Sequence, residues 1–236
     1  MVIFWSIEKM DSFIVASTGE WNLKYFDQFS KKQKGGWKFA STPAELNKLL
    51  EVVNPRYIFF PHWSWIVSDE IVKRHECVCF HMTDLPYGRG GSPLQNLIIQ
   101  GHEKTMLTAL RMEKSLDTGP IYYKKTLSLH GTAYDIYKRA GRLCWDMMSN
   151  FIKENPDPVV QEGAITNFKR RIPEQSRIPE ELSLKDVYNH IRMLDAPGYP
   201  KAFLEMNDYR LEFESSEYID GRLSAKVSFI KREDNA

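Results

Sequence analysis

The sequence predicts an α/β protein: a parallel-containing sheet with helices on both faces, followed by a small β-rich C-terminal subdomain. Three observations carry this. Short β-favouring runs alternate with helix-period segments as far as about residue 153. The runs Phe13-Ile14-Val15-Ala16, Tyr57-Ile58-Phe59-Phe60 and Val78-Cys79-Phe80 are continuously apolar, as strands buried on both faces are. Asn155-Pro156-Asp157-Pro158 then breaks the pattern, and the stretch from about Phe203 to Ile230 reads as a small β meander.

The elements follow in order. Phe13 to Ala16 is a strand ended by Ser17-Thr18-Gly19, a turn able to open a helix from Trp21 to Phe29. Ser41-Thr42-Pro43-Ala44-Glu45 combines a capping hydroxyl, a proline in the first turn and a nearby acid, and so starts a helix. That helix carries Leu46, Leu49, Leu50 and Val53 at helical spacing and stops before Asn54-Pro55. Tyr57 to Phe60 is the second strand; a helix from about Ser68 to Arg74 leads into the third, Val78 to Phe80. Two strand-like runs between Thr105 and Leu129 flank Leu116-Asp117-Thr118-Gly119-Pro120. A long helix from about Thr132 to Lys153 aligns Ile136, Ala140, Leu143 and Met147 on one face. A basic segment, Asn167 to Arg171, and a short helix around Val187 to Leu194 precede the meander.

With 236 residues the chain can form one good-sized domain and an appendage. A formal net charge of +1 gives no global field for polyanions, so a nucleic-acid partner would need a local basic face. Cys77, Cys79 and Cys144 are odd in number and fit no disulfide framework, which favours buried free thiols in a reducing compartment. No stretch approaches the roughly twenty apolar residues of a membrane span, and Met1 to Trp5 is too short for a leader's apolar region. The expectation is a cytoplasmic protein with no membrane partner and no metal site.

In parallel sheets ligands bind beyond the carboxyl ends of the strands, which points to Pro61-His62-Trp63-Ser64-Trp65 and to His81-Met82-Thr83-Asp84. The second of these continues through Leu85-Pro86-Tyr87-Gly88-Arg89-Gly90-Gly91-Ser92-Pro93, a glycine-rich turn leading into a helix. Its glycines allow close backbone approach to a ligand, and the helix start at Pro93 offers N–H groups to an anion; plain turn chemistry is the competing reading. Leu116-Asp117-Thr118-Gly119-Pro120-Ile121 is a turn with one carboxylate. Leu194-Asp195-Ala196-Pro197-Gly198-Tyr199-Pro200 reads alone as a rigid connector.

In this order and spacing the three patterns resemble the formyltetrahydrofolate-dependent formyltransferase family: its histidine-to-proline loop followed by Arg-Gly, its Asp-x-Gly-x-Ile loop, and its C-terminal Pro-Gly-Tyr-Pro segment. The likeness runs from Phe13 to about Arg210. The resemblance implies a Rossmann-like catalytic domain over residues 1–166, a C-terminal subdomain over 167–236, and N10-formyltetrahydrofolate as co-substrate. Within the family, Gly88-Arg89-Gly90-Gly91-Ser92-Pro93-Leu94-Gln95-Asn96 resembles the sugar N-formyltransferases acting on UDP-4-amino-4,6-dideoxy sugars of pseudaminic-acid-type pathways.

The family likeness implies His81 as the base that takes the amine proton and Asp117 as its carboxylate partner. It implies a pterin slot lined by Trp65, Ile66 and Val67, with Leu85 and Asp117 nearby, although Trp63 and Trp65 equally suit a core. Arg89, Gly90, Gly91, Lys169, Arg170 and Arg171 would hold a sugar-linked diphosphate, unless the basic run is a solvated surface. Tyr199 would stack on a base or pack the junction. One position departs from the family: Cys79 stands where an Asn is usual, two residues before the histidine, and a thiol is a poor oxyanion donor. Asn96, or else Gln95 or backbone donors, is expected to replace that amide. The acceptor expected is a nucleotide sugar, with no nucleic-acid partner, and a homodimer is left open. Competing readings are a methionyl-tRNA formyltransferase, a formyltetrahydrofolate hydrolase, and a non-catalytic binding module.

Overall fold

The computed structural model describes residues 10–232. The elements are β1 (Ser12–Ala16), α1 (Glu20–Phe29), β2 (Gly36–Ala40), α2 (Pro43–Val52), β3 (Tyr57–Pro61), α3 (Asp69–Arg74) and β4 (Cys77–His81). They continue as β5 (Arg89–Gly90), α4 (Pro93–Ile99), β6 (Lys104–Arg111), β7 (Ile121–Ser128), α5 (Ala133–Glu154) and β8 (Asn167–Phe168). α6 (Leu184–Arg192) and strands β9 (Ala202–Met206), β10 (Tyr209–Ile219) and β11 (Arg222–Lys231) complete the chain. Six strands form the main sheet in the order β2-β1-β3-β4-β6-β7, and β1, β2, β3 and β4 pair in parallel. The α/β class with a parallel-containing sheet and a C-terminal β subdomain is therefore as the sequence predicts.

By its contacts the chain divides into two compact units. The first takes the chain through Phe80, with Ala109–Tyr123 and Gly141–Val160. Every residue of β3 is buried, and side chains along its strands alternate between two apolar layers. On one side Ile14, Ala16, Ile58 and Phe60 pack with Leu46 and Leu49 of α2 and Ile71 of α3. On the other, Phe13, Tyr57 and Phe59 join an aromatic cluster with Phe26 and Phe29 of α1 and Trp145 and Phe151 of α5. Local signals set the helix ends: Thr42 Oγ1 accepts from Glu45 N–H at 3.2 Å, and the Glu45 carboxylate accepts from Ser41 N–H at 2.7 Å. The Ser41 donors hold Glu45 below its ordinary pKa.

The second unit takes His81–Thr108, Lys124–Ala140 and the chain from Gln161 on. It contains the antiparallel sheet β9–β10–β11 and a two-stranded parallel pairing, Arg89 with Asn167 and Gly90 with Phe168, made by β5 and β8. Buried Arg192 on α6 donates to the Leu129 and Gly131 carbonyls at 2.6 and 3.0 Å, which satisfies its charge. Among the described residues no helix is long and apolar enough to cross a membrane, and no cluster of three metal-ligating side chains occurs.

Candidate active site

His81 is the last residue of β4 and is buried, with 7% of its surface exposed. The chain then turns, and the imidazole Nε2 lies 2.8 Å from the Gly88 carbonyl oxygen. Thr83 Oγ1 donates to the same oxygen at 3.3 Å, and Thr108 Oγ1 fixes Thr83 by donating to its carbonyl at 2.7 Å.

The glycine-rich turn meets protein rather than open space. A Cβ at Gly88 would lie 2.7 Å from the Phe168 ring, one at Gly90 2.5 Å from the Phe168 carbonyl oxygen, and one at Gly91 2.6 Å from Arg170 Cβ. Gly88 and Gly90 also hold positive φ angles of 72° and 104°. The close approach expected of these glycines is real, but their neighbour is the segment from Thr166 to Arg170. The helix start at Pro93 likewise serves that segment: Ser92 Oγ accepts from Arg171 N–H at 3.0 Å.

Asn96 and Gln95 do not present the expected amide. Asn96 Nδ2 donates to the carbonyls of Ser92 at 2.9 Å, Gly91 at 3.1 Å and Lys169 at 3.2 Å. Gln95 is buried, and its Nε2 donates to Tyr137 Oη at 3.1 Å and the Met193 carbonyl at 3.2 Å. Both amides hold backbone and helices in place.

In the other unit Asp117 sits at the β6–β7 turn with φ 56°. Arg111 N–H donates to the Pro120 carbonyl at 2.9 Å and closes the turn, and Gly119 rests directly on the Arg111 carbonyl. Cys79 pairs with Phe60 across the sheet. Burial, and then the charge of Asp117, push its thiol far above the ordinary range, so it stays neutral and a weak donor. Cys144 of α5 is raised by burial and then by Cys79. The three cysteines are free, Cys77 and Cys144 buried and Cys79 half-buried.

The folate-side residues divide. Trp63 packs on the apolar core and is a core aromatic. The Trp65 ring leans edge-on against it at 4.8 Å and remains 44% exposed, and Ile66 is exposed. Val67 packs on the same core as Trp63, and Leu85 is fully buried, so Leu85 presents no surface to a ligand.

The residues expected to hold a diphosphate have these partners. The Arg89 guanidinium donates to Gln161 Oε1 at 2.8 and 3.2 Å. Arg171 donates to the Gln175 carbonyl, and burial lowers its pKa. Tyr199 stacks on Tyr137 at 5.3 Å and packs the junction, with burial raising its pKa. Only Lys169 and Arg170 of the basic run stand exposed to solvent. Thr166 and Gln161, which bracket the His81 loop, carry no signal in the sequence.

Residues 24–143 match the formyl transferase family, and residues 173–230 match the C-terminal domain of methionyl-tRNA formyltransferase. The chain belongs to the formyl transferase family. Members of this family are enzymes that draw on formyltetrahydrofolate. The solved structure of a methionyl-tRNA formyltransferase from Clostridium thermocellum superposes with a TM-score of 0.91 at 44% identity, covering 94% of this chain and 99% of that one. The methionyl-tRNA formyltransferase of Clostridium botulinum is 26% identical over 194 residues, 79% of this chain and 62% of that protein. A sugar N-formyltransferase from a Shewanella species superposes at TM-score 0.64, with 14% identity over 89% of this chain and 98% of that one, and so shares the fold alone. This formyl transferase chain spans between 47% and 62% of the length of the curated relatives named here and of a Staphylococcus epidermidis homologue.

These likenesses correct two expectations. The nucleotide-sugar acceptor, with its UDP and pseudaminic-acid assignment, is overturned by the 44% identity to a protein named for methionyl-tRNA. The expectation of no nucleic-acid partner falls with it, since the relatives are named for a tRNA substrate. Net charge does not decide the point, because it reports a sum and not where cations are displayed.

Proposed function

We propose that this chain moves a formyl group from N10-formyltetrahydrofolate to the α-amino group of a methionyl-tRNA, in the cytoplasm. The observation that carries the reading is the 44% identity with the Clostridium thermocellum protein over 99% of that chain. Placement of a buried histidine at the end of a central strand supports it.

In this reading the folate is held by the loop of Trp65, Ile66 and Val67, whose exposed indole offers a flat apolar surface to a pterin. The folate supplies an activated formyl carbon. As the amine's new C–N bond forms, the nitrogen sheds a proton, and His81 receives it. Asp117 is the carboxylate that this reading assigns to the reaction. When the bond to N10 breaks, the proton passes to N10, so the sum is one formyl group exchanged for one hydrogen. Negative charge on the formyl oxygen needs donors. Cys79 is a poor one and the Asn96 amide is engaged, which leaves backbone N–H groups. Lys169 and Arg170, exposed cations beside the glycine-rich turn, are available to tRNA phosphates.

The test is incubation with formyltetrahydrofolate and charged initiator tRNA, followed by mass spectrometry of the aminoacyl group. Formylmethionyl product that requires both substrates supports the reading. Formate released at the same rate without tRNA would overturn it in favour of hydrolysis, and formylation of free methionine alone would exclude tRNA as the acceptor.

A further inference from the structure

The hydrogen bond between His81 Nε2 and a backbone carbonyl has a chemical consequence. A carbonyl oxygen only accepts, so Nε2 must carry hydrogen whenever the 2.8 Å contact is made. In the neutral ring Nδ1 is then the unprotonated nitrogen, and Nδ1 is the atom that gains and loses a proton. The Gly88 carbonyl is therefore one determinant of the tautomer His81 adopts, and how firmly it is aimed matters.

Gly88 by itself aims nothing firmly, because it lacks a Cβ and sits at φ 72°. The restraint comes from Thr166, 78 residues away in sequence. Thr166 Oγ1 accepts from Gly88 N–H at 2.7 Å, which fixes the peptide before Gly88. The Thr166 carbonyl accepts from Arg89 N–H at 3.0 Å, and that N–H belongs to the same planar peptide as the Gly88 carbonyl. In a trans peptide the two groups point opposite ways, so holding the N–H from one side directs the oxygen toward His81 on the other. Thr166 N–H donates to the Pro86 carbonyl at 3.4 Å as a third tie to the loop.

We infer that Thr166 is a positioning residue for His81: by holding both peptides around Gly88 it fixes the carbonyl that keeps hydrogen on Nε2 and assigns proton exchange to Nδ1. The inference rests on the reading of His81 as the proton acceptor. It extends that reading to a residue whose hydrogen bonds go to the backbone of the loop. Valine matches threonine in shape but cannot accept the Gly88 N–H. The Tyr87–Gly88 peptide, freed of its acceptor, can then turn and drag the Gly88 carbonyl with it against the main-chain tie at Arg89 N–H that valine keeps, and the tautomer lock loosens.

The test uses the full chain, 15N-labelled, with the His81 ring resonances identified by their loss in His81→Gln. At pH 8 the unaltered protein should show the Nε2-protonated tautomer. Thr166→Val should move the ring nitrogens toward a mixture of tautomers and lower kcat by roughly ten- to a hundredfold, with KM for both substrates little changed. Thr166→Ser, which keeps the acceptor, should restore both. A wild-type ring protonated at Nδ1 instead, or a fall in kcat without any change of tautomer, would overturn the inference. A changed tautomer with unchanged kcat would uphold the positioning by Thr166 and remove His81 from the chemistry.

Discussion

Gly119→Ala should be among the most damaging single-methyl additions in this protein, and the reason is steric. Gly119 lies in the turn that carries Asp117, and a Cβ built there would overlap the Arg111 carbonyl oxygen and lie 3.0 Å from its carbonyl carbon. Both parties are backbone, so neither can turn aside as a side-chain end would. The turn must move away from Arg111 by on the order of 1 Å, in an interior as dense as a crystal. That movement strains the 2.9 Å bond from Arg111 N–H to the Pro120 carbonyl. Overpacking costs about 1–3 kcal/mol, and the weakened hydrogen bond adds about 1 kcal/mol. The expected loss is about 2–4 kcal/mol, which for a chain of this size lowers Tm by roughly 5–15 °C. Urea unfolding measures the free energy, and a formylation assay at a temperature where the variant is folded measures the rest. Displacing Asp117 by about 1 Å should cost on the order of a hundredfold in kcat. Gly101→Ala is the contrasting control: it has φ 79° but nothing within 4 Å, so only backbone strain of about 1 kcal/mol applies. A Gly119→Ala protein within about 0.5 kcal/mol of the parent, and fully active, would refute the claim that this turn is wedged on Arg111.

His81→Ala and Asp117→Asn should each remove nearly all formyl transfer while leaving the far-ultraviolet circular dichroism unchanged; near-normal turnover in either would discard the assignment. His62 packs edge-on against Trp21 and burial pulls its pKa down to about 4 from 6.5. Because the folded pKa is the lower, the unfolded chain protonates first as pH falls. The stabilisation is full above pH 6.5 and drains away toward pH 4, by up to about 3 kcal/mol. His62→Asn should flatten that part of the stability profile, and an unchanged slope would show that the ring is not held neutral. Lys169→Ala and Arg170→Ala should each raise KM for tRNA and reduce its log–log salt dependence by about one, with folate KM unaltered; equal salt slopes would place the tRNA elsewhere. Asn96→Ala should lower thermal stability by about 1–3 kcal/mol, as three carbonyls lose a shared donor, whereas Cys79→Ala should leave kcat within about twofold of the parent. A crippling Cys79→Ala would give the thiol or its strand position a role in the reaction.

What the sequence discloses of this fold is what local chemistry decides. The α2 helix is legible because Thr42, Pro43 and Glu45 set its start by contacts within three or four residues. β3 is legible because a strand buried on both faces is apolar throughout. β2 is not: Gly36-Trp37-Lys38-Phe39-Ala40 follows a lysine-rich turn and carries a lysine at its centre. It becomes a strand only by pairing in parallel with β1, Ser12 opposite Gly36 through Ala16 opposite Ala40. The two-residue strands β5 and β8 are equally silent, since each exists only because the other is there. The order of motifs singles out His81 and Asp117, but where the Asn96 amide goes lies beyond any local reading, because its partners include the Lys169 carbonyl, 73 residues away.

The glycine-rich turn shows how such a motif can be read correctly for its backbone and wrongly for its partner. Glycines at 88, 90 and 91 do signal close approach, and three are needed because Phe168 and Arg170 press on all three positions. A ligand cradle and a second strand place the same demand on Cβ, so composition alone does not separate them. The difference lies in what the approach accomplishes. Here it lets Thr166 hold the peptides of Gly88, which in turn hold the ring of His81. It also runs Lys169 and Arg170 past the turn with their side chains to solvent. A bulkier residue at Gly90 would therefore act on catalysis without touching a substrate: it would push β8 away, release the clamp on His81 and shift the exposed cations in one step.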